Sequence, residues 1–400
     1  MNSKKKCQST LILAALITCL LFGGSMILLN TLNSFNYSET RTDVENTPTN
    51  GNLLTAGDFN DAPIHVYHGN FSEEWGGSGS VGDPYSISDL KINASYNDFG
   101  IKIEHTDDHF KIENVTVICT YSTDFGAFHL NNVTNGNITK NIATENGLGF
   151  RLEDCENNTL AGNYVGGNAG GFMLTNSANN NTLKNNIADN NNDFLEIEEG
   201  VGFIIENSND NILNNNTATN HGNWGFSFSE SENNEITDNT ATNNDNGIIF
   251  AESNKNNLSK NTVNENIEGI TLGDSINNTI TENTVNKNDG DGILLGNSSY
   301  NTITENKVNE NMGYGIYLRV YSNYNTITGN TLKYNEDGCI EEELSEGNEI
   351  DNNICENKEE DGEDGENGLE ISSYNILMIL SLSVIIPMIL LMTRKRIAKY

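Results

Sequence analysis

From about residue 100 to residue 355 the apolar residues of this chain come singly or in alternating pairs, separated by Asn, Thr, Gly and acidic residues. Alternation at period two marks strands with one buried face, and the interspersed Asn and Gly break any helix. The pattern also recurs. Anchored on Gly136, Asn158, Asn181, Asn211, Asn234, Asn256, Asn278, Asn301, Asn325 and Asn348, it repeats at spacings of 22, 23, 30, 23, 22, 22, 23, 24 and 23 residues. Two residues after every anchor stands Ile or Leu, five after it stands Asn, and seven after it stands Ala, Val, Leu or Cys. Each repeat then carries Gly followed by apolar-x-apolar: "GFRL", "GFML", "GFII", "GFSF", "GIIF", "GITL", "GILL", "GIYL". A ninth copy, "GCIE", breaks the rule at Glu341.

A repeat of this length is one coil of a solenoid, because only a neighbouring coil can bury its apolar side. Each coil should hold two or three short strands joined by tight turns. The Asn five after the anchor is expected at a corner in the left-handed conformation that Asn tolerates, with its amide bonding to its neighbours along the stack. A Ser column (Ser208, Ser231, Ser253, Ser275, Ser298, Ser322, Ser345) marks another corner. Ile280, Ile303 and Ile327 should stack inward, as should Asn283, Asn306 and Asn330. Leucine-rich repeats share the period, but they need a denser Leu framework and a longer convex segment than "NKNDGDG".

The stretch "GILLGNSSYNTITENKVNENMGYGIYL" resembles the parallel β-helix repeat shared by carbohydrate-binding proteins and sugar hydrolases, and also the NosD type of β-helix, named for a periplasmic protein of copper-site maturation. "GSGSVGDPYSISDLKI" is similar to the segment that opens many archaeal membrane-anchored solenoids of this kind. The resemblance implies an all-β, right-handed parallel β-helix of about eleven coils, a handedness that crossover chirality also favours. It implies little about function, since lyases, hydrolases, epimerases, adhesins and metal-associated proteins share the architecture.

The ends differ in kind. Lys4, Lys5 and Lys6 precede an apolar run from Leu11 to Leu29, which reads as a signal peptide or signal anchor. Ile376 to Met392 is apolar and is followed by "TRKRIAKY", a membrane span with a basic cytoplasmic stop. The chain therefore divides into a leader (1–30), a linker (31–70), an N-terminal cap that includes Trp75 and the segment to Pro84 (71–98), repeats (99–357), an acidic spacer (358–372), a transmembrane helix (373–393) and a basic tail (394–400). The rod would lie outside the cell membrane, anchored at one or both ends. Twelve N-x-S/T sequons suit an exported surface. Cys339 and Cys355, one coil apart, are either bonded or buried thiols.

The net charge of −35, from 56 acidic and 21 basic residues, repels a phosphate backbone and excludes nucleic acid as a partner. Candidate chemistry is sparse. The outward residues of the Gly-led strands read Arg151, Met173, Ile204, Ser227, Ile249, Thr271, Leu294, Tyr317 and Ile340, with no carboxylate pair or lyase-type base among them. "EHTDDHF" (Glu104 to Phe110) is the densest acid-and-histidine cluster, and its aspartates suit a turn. His65 and His68 form H-x-x-H, while His105, His109, His129 and His221 lie far apart, so copper ligands do not cluster. Two acidic features remain. Glu230, Glu252 and Asp274 fall in one column, about 4.8 Å apart, and offer oxygens to a hard cation such as Ca²⁺, although nothing requires a cofactor. The 30-residue repeat carries about seven extra residues bearing Asp193, Glu196, Glu198 and Glu199, a loop placed to meet a ligand. The reading that follows is a membrane-anchored surface module, binding or structural, with carbohydrate or another surface component as partner. A polysaccharide-active enzyme and a NosD-like copper-associated protein are the alternatives.

Overall fold

A computed structural model describes residues 61–71, 75–95, 97–120, 122–192 and 200–357. Asp193, Glu196, Glu198, Glu199 and both apolar terminal segments lie outside the described residues. Within them no helix is long and apolar enough to cross a membrane.

Three parallel sheets of 12 strands each wind round one core, every strand pairing with the equivalent strand one coil away. The first sheet runs from Ile64–Tyr67 to Gly338–Glu343, the second from Tyr85–Ser88 to Glu349–Asp351, the third from Lys91–Asn93 to Ile354–Glu356. The β-helix thus begins at Ile64, one coil ahead of the repeat, in the stretch that reads as a linker. Its N-terminal end is covered by rings: Phe71 stacks on Tyr85 at 4.4 Å and meets Trp75 at 6.1 Å and Phe110 at 5.7 Å.

The core follows the predicted columns. Ile280, Ile303 and Ile327 pair in register and are fully buried. In the first sheet of earlier coils Phe128, Phe150, Phe172, Phe203 and Phe226 form one stack, with centroids 4.5 to 5.0 Å apart. The corners are built from amide ladders. Asn283 Nδ2 donates to Asn306 Oδ1 at 3.0 Å, and Asn306 Nδ2 donates to Asn330 Oδ1 at 2.9 Å and to Ile280 O at 2.8 Å. The anchor column forms a second ladder, as in Asn278 to Asn301. A third, ten residues after the anchor, was not anticipated; it runs through Asn266, Asn288 and Asn311. Buried serines hold the remaining corner, the amide of Ser253 donating to Ser275 Oγ at 3.0 Å.

Two expectations need correction. The left-handed φ belongs to the residue before the ladder Asn: Glu282 (55°) and Glu305 (57°) turn the chain, while Asn283 and Asn306 point inward. An amide that must reach the coils on both sides is better served from ordinary extended backbone, so its neighbour takes the strained position. The last coil is also shifted by one. Ile316 pairs with Ile340, Tyr317 with Glu341 and Leu318 with Glu342. Glu342 therefore falls in register with the core column but is exposed on this last strand, and Glu341 falls in the outer row. The outward residue of this coil is Glu341, not Ile340. Cys339 and Cys355 are joined in a disulfide that ties this coil's first and third strands.

Candidate functional site

The outer face of the first sheet carries two parallel rows. Register pairs His65 with Lys102, Lys102 with His129, and His129 with Arg151, giving four consecutive cationic or titratable side chains in one row. The second row, two residues on, reads Tyr67, Glu104, Asn131 and Glu153. Each position exists because a strand alternates: the inward neighbours Val66, Ile103, Leu130 and Leu152 are buried, which drives the intervening residues outward.

The rows interlock. Glu104 accepts from His65 Nε2 at 2.6 Å and from Lys102 Nζ at 2.9 Å, and the Lys102 ammonium stands 5.1 Å from the Phe125 ring centroid and 5.9 Å from that of Phe99. Glu153 meets His129 Nε2 at 3.4 Å and accepts from Arg151 Nη2 at 3.2 Å, Asn131 Nδ2 at 3.3 Å and Asn176 Nδ2 at 2.8 Å. The His129 contact, followed by Arg151, holds the Glu153 carboxyl well below the usual carboxylate range despite burial. Burial opposes ionisation of Glu104, but Lys102 and His65 outweigh it and lower its pKa. His129 is 3% exposed, and its Nδ1, like Arg151 Nε, is buried without a hydrogen-bond partner. Such atoms are costly to leave unpaired, and sites under functional demand are where that cost is tolerated. The result is a preset array of ionised carboxylates and cations flanked by aromatic faces.

The sequence held the signal for this array. "IHVY", "IKIE", "FHLN" and "FRLE" share the apolar-x-apolar-x form, but "IHVY" follows Pro63 and "FHLN" follows Ala127 instead of the Gly used to index the strands, and "IKIE", which follows Gly100, precedes the first indexed repeat. Of "EHTDDHF", Glu104 belongs to the array. His105 stacks on His68 at 5.3 Å, and Asp108 closes a local turn through Thr106. The H-x-x-H pair is divided, since His65 binds Glu104 while His68 stacks on His105.

Elsewhere the first sheet carries a second acidic place. Glu268 accepts the amide of Asp291 at 3.0 Å, and Asp291 accepts that of Tyr314 at 2.7 Å. Burial, then the charge of Asp291, pushes the Glu268 carboxyl up to about 8; burial pushes Asp291 up to about 6. Glu230, Glu252 and Asp274 do fall in one exposed line, each in a left-handed corner residue (φ 49°, 51° and 50°). They are strung along the axis, and Asn297 Nδ2 donates to Asp274. A shallow concavity of about 280 Å³ on the outer face of the second sheet is lined by Lys111, Glu113 and Lys140 among others, and its Lys140–Glu113 pair at 2.8 Å is a solvent-exposed surface contact.

Residues 84–257 and 225–378 both match the family model described as "Periplasmic copper-binding protein (NosD)". The chain belongs to the NosD family. No curated protein matches the chain. Among solved structures the A-module of the Azotobacter vinelandii mannuronan C-5 epimerase AlgE4 is similar at 13% identity and a TM-score of 0.47, covering 67% of this chain and 87% of that one. The Streptococcus pneumoniae surface adhesin PfbA aligns at 14% identity and 0.46, covering 58% and 70%. An exopolygalacturonase from Thermotoga maritima aligns at 10% identity and 0.50, covering 68% and 83%. These likenesses show the fold alone.

The copper in the NosD description can be tested against the donors present. Cys339 and Cys355 are bonded to each other, and burial pushes the Cys155 thiol up to about 12, far from a ready thiolate ligand. His65 and His129 are engaged by separate carboxylates, and His221 is buried in an amide ladder against Asn191. Met173 Sδ lies against Arg151 Nη1. Among the described residues no three of His, Cys, Asp and Glu gather so as to hold a metal ion. These residues do not fit a copper site.

Proposed function

We propose that this NosD-family protein binds an acidic carbohydrate on the N-terminal part of its first sheet, as the extracytoplasmic rod of a membrane-anchored surface protein. The observation that carries the reading is the row His65, Lys102, His129 and Arg151, four consecutive coils of cationic or titratable groups on a chain of net charge −35. A polymer crossing the coils would meet His65, Lys102 and Arg151 along this row, with His129 buried beneath it. Glu104 and Glu153 hold those groups in place beforehand, which lowers the ordering cost of binding. Arg151 offers the planar fork that suits a sugar carboxylate, while Phe99, Phe125 and Tyr67 offer apolar faces to the ring carbons. The anchoring rests on the apolar runs Leu11 to Leu29 and Ile376 to Met392.

A polysaccharide-active enzyme is the second reading, favoured by His129, a buried imidazole shared between a carboxylate and a cationic row. One experiment separates the two. The full chain in neutral detergent is incubated with a polyuronate and with a neutral glucan. Retention of the polyuronate that is lost in Arg151→Ala, with no new reducing or unsaturated ends, supports binding. New ends that vanish in His129→Ala support the enzyme. Polyuronate binding equal in parent and Arg151→Ala refutes the site.

A further inference from the structure

The corner between the first and second sheets changes character in the last coils. The residue before the ladder Asn is left-handed in every coil and is usually small or polar: Asn157, Asn180, Asp210, Asn233, Lys255 and Asn277. The next two are Tyr300 (φ 58°) and Tyr324 (φ 56°), and then Gly347. On the same corner a single left-handed residue, such as Asp274 or Asn297, is replaced by two in succession, Val320 (φ 48°) and Tyr321 (φ 61°), where the earlier doublet at this corner is the small polar pair Asn176 (φ 52°) and Ser177 (φ 67°). This extra residue lengthens the spacing there from 23 to 24 residues. Bulky and β-branched residues pay for that conformation where Asn or Gly would not. The backbone holds it nonetheless: Val320 and Tyr321 donate to Glu343 O and Leu344 O, each at 2.9 Å, and Ser299 Oγ donates to Tyr321 O. Strain that the surroundings over-determine, with little burial in return, points to function.

Little of these side chains is buried. Tyr321 is 65% exposed, Tyr300 56% and Tyr324 51%. Tyr300 and Tyr324 stack on each other at 5.4 Å and 16°, and a side chain at Gly347 would come within 2.6 Å of the Tyr324 ring, so glycine leaves that ring its room. Among the described residues none of the three hydroxyls has a protein partner. We propose that this tyrosine ridge is a binding site for the uncharged sugar units of a polysaccharide. Exposed aromatic faces suit the apolar faces of sugar rings, and the three phenols and the neighbouring Asn and Ser side chains suit their hydroxyls. Charge selects against an anionic polymer or an anionic lipid surface, because Asp274, Glu343 and Glu346 at this corner outnumber the one neighbouring cation, Arg319.

The ridge is independent of the cationic row, and the test keeps them apart. The full chain in neutral detergent is run through gels containing a neutral glucan, mannan or galactan, or a polyuronate. The triple variant Tyr300→Asn, Tyr321→Asn, Tyr324→Asn restores the residue type the corner uses elsewhere. It should lose neutral-glycan retention by about tenfold or more, two or more aromatic contacts being removed. Its thermal midpoint should match or exceed the parent's, and its polyuronate retention should be unchanged. Arg151→Ala should keep neutral-glycan retention. The proposal fails if no neutral glycan retards the parent, or if the variant is retarded equally. It fails also if the variant melts more than about 5 °C lower, or if the tyrosines instead govern binding to zwitterionic lipid vesicles or self-association.

Discussion

Replacing Asn306 by Ala tests whether the amide ladders hold the coils together. Asn306 lies fully inside, at the corner between its second and third strands. Its Nδ2 donates to Ile280 O at 2.8 Å and to Asn330 Oδ1 at 2.9 Å, while its Oδ1 accepts the backbone amide of Asn283 at 2.9 Å and Asn283 Nδ2 at 3.0 Å. Alanine removes all four. Asn330 Oδ1 keeps the amide of Asn306 and Asn283 Nδ2 keeps Leu258 O at 3.1 Å, but Asn283 N is left buried and unpaired and Ile280 O loses its side-chain donor. The orphaned amide costs about 1–3 kcal/mol and each other lost hydrogen bond about 0.5–1.5, so after partial relaxation the loss should be about 2–5 kcal/mol. Coils of a solenoid are coupled chiefly to their neighbours, so the loss should be local. The assay is therefore native-state hydrogen exchange together with urea denaturation. The amides of Asn283 and Thr284 should exchange at least about thirtyfold faster, by the tenfold per 1.4 kcal/mol relation, while those of coils near Phe150 hold. A change under about 1 kcal/mol, or one spread evenly along the rod, would refute the idea that ladder amides bear the corners.

Three further outcomes follow from the same geometry. Ile303→Asp buries a charge between Ile280 and Ile327 and should cost several kcal/mol in urea denaturation, or prevent folding. Glu268 and Asp291, raised to about 8 and about 6 against ordinary values of 4.5 and 3.8, bind protons in the folded state that the unfolded chain releases earlier. Their stabilising effect is therefore full below about pH 4 and lost as pH rises through 6 and then 8; thermal midpoints measured across that range should fall, and Glu268→Gln should flatten the curve. Reducing the Cys339–Cys355 disulfide should speed exchange in 338–357 and leave the amides near Ile280 unchanged; protection lost throughout would contradict a purely local tie.

The sequence by itself determined the coil. A period near 23, a strict aliphatic column and a strict Asn column admit one arrangement, because a short strand with one apolar face is stable only when an identical strand covers it. The stacking of Ile280 on Ile303 and of Asn283 on Asn306 could be read directly, since register follows from the repeat. Chemistry that does not repeat could not be read this way. Lys102, His129 and Arg151 become neighbours only because parallel coils bring residues 27 and 22 positions apart to facing places. Nothing in the local sequence of "FHLN" says that its histidine will share Glu153 with an arginine. Likewise Glu342 falls in register with the core column, though exposed, through a one-residue shift set by pairing in the last coil, where the repeat has already decayed. Which residue at a corner takes the left-handed turn was decided by the ladder amide's need to reach both neighbours, a demand that exists only once the coils are stacked. Repetition carries the fold because it is a sum of identical local contacts, whereas the candidate site lies where that repetition is broken, and only the wound chain shows which broken positions meet.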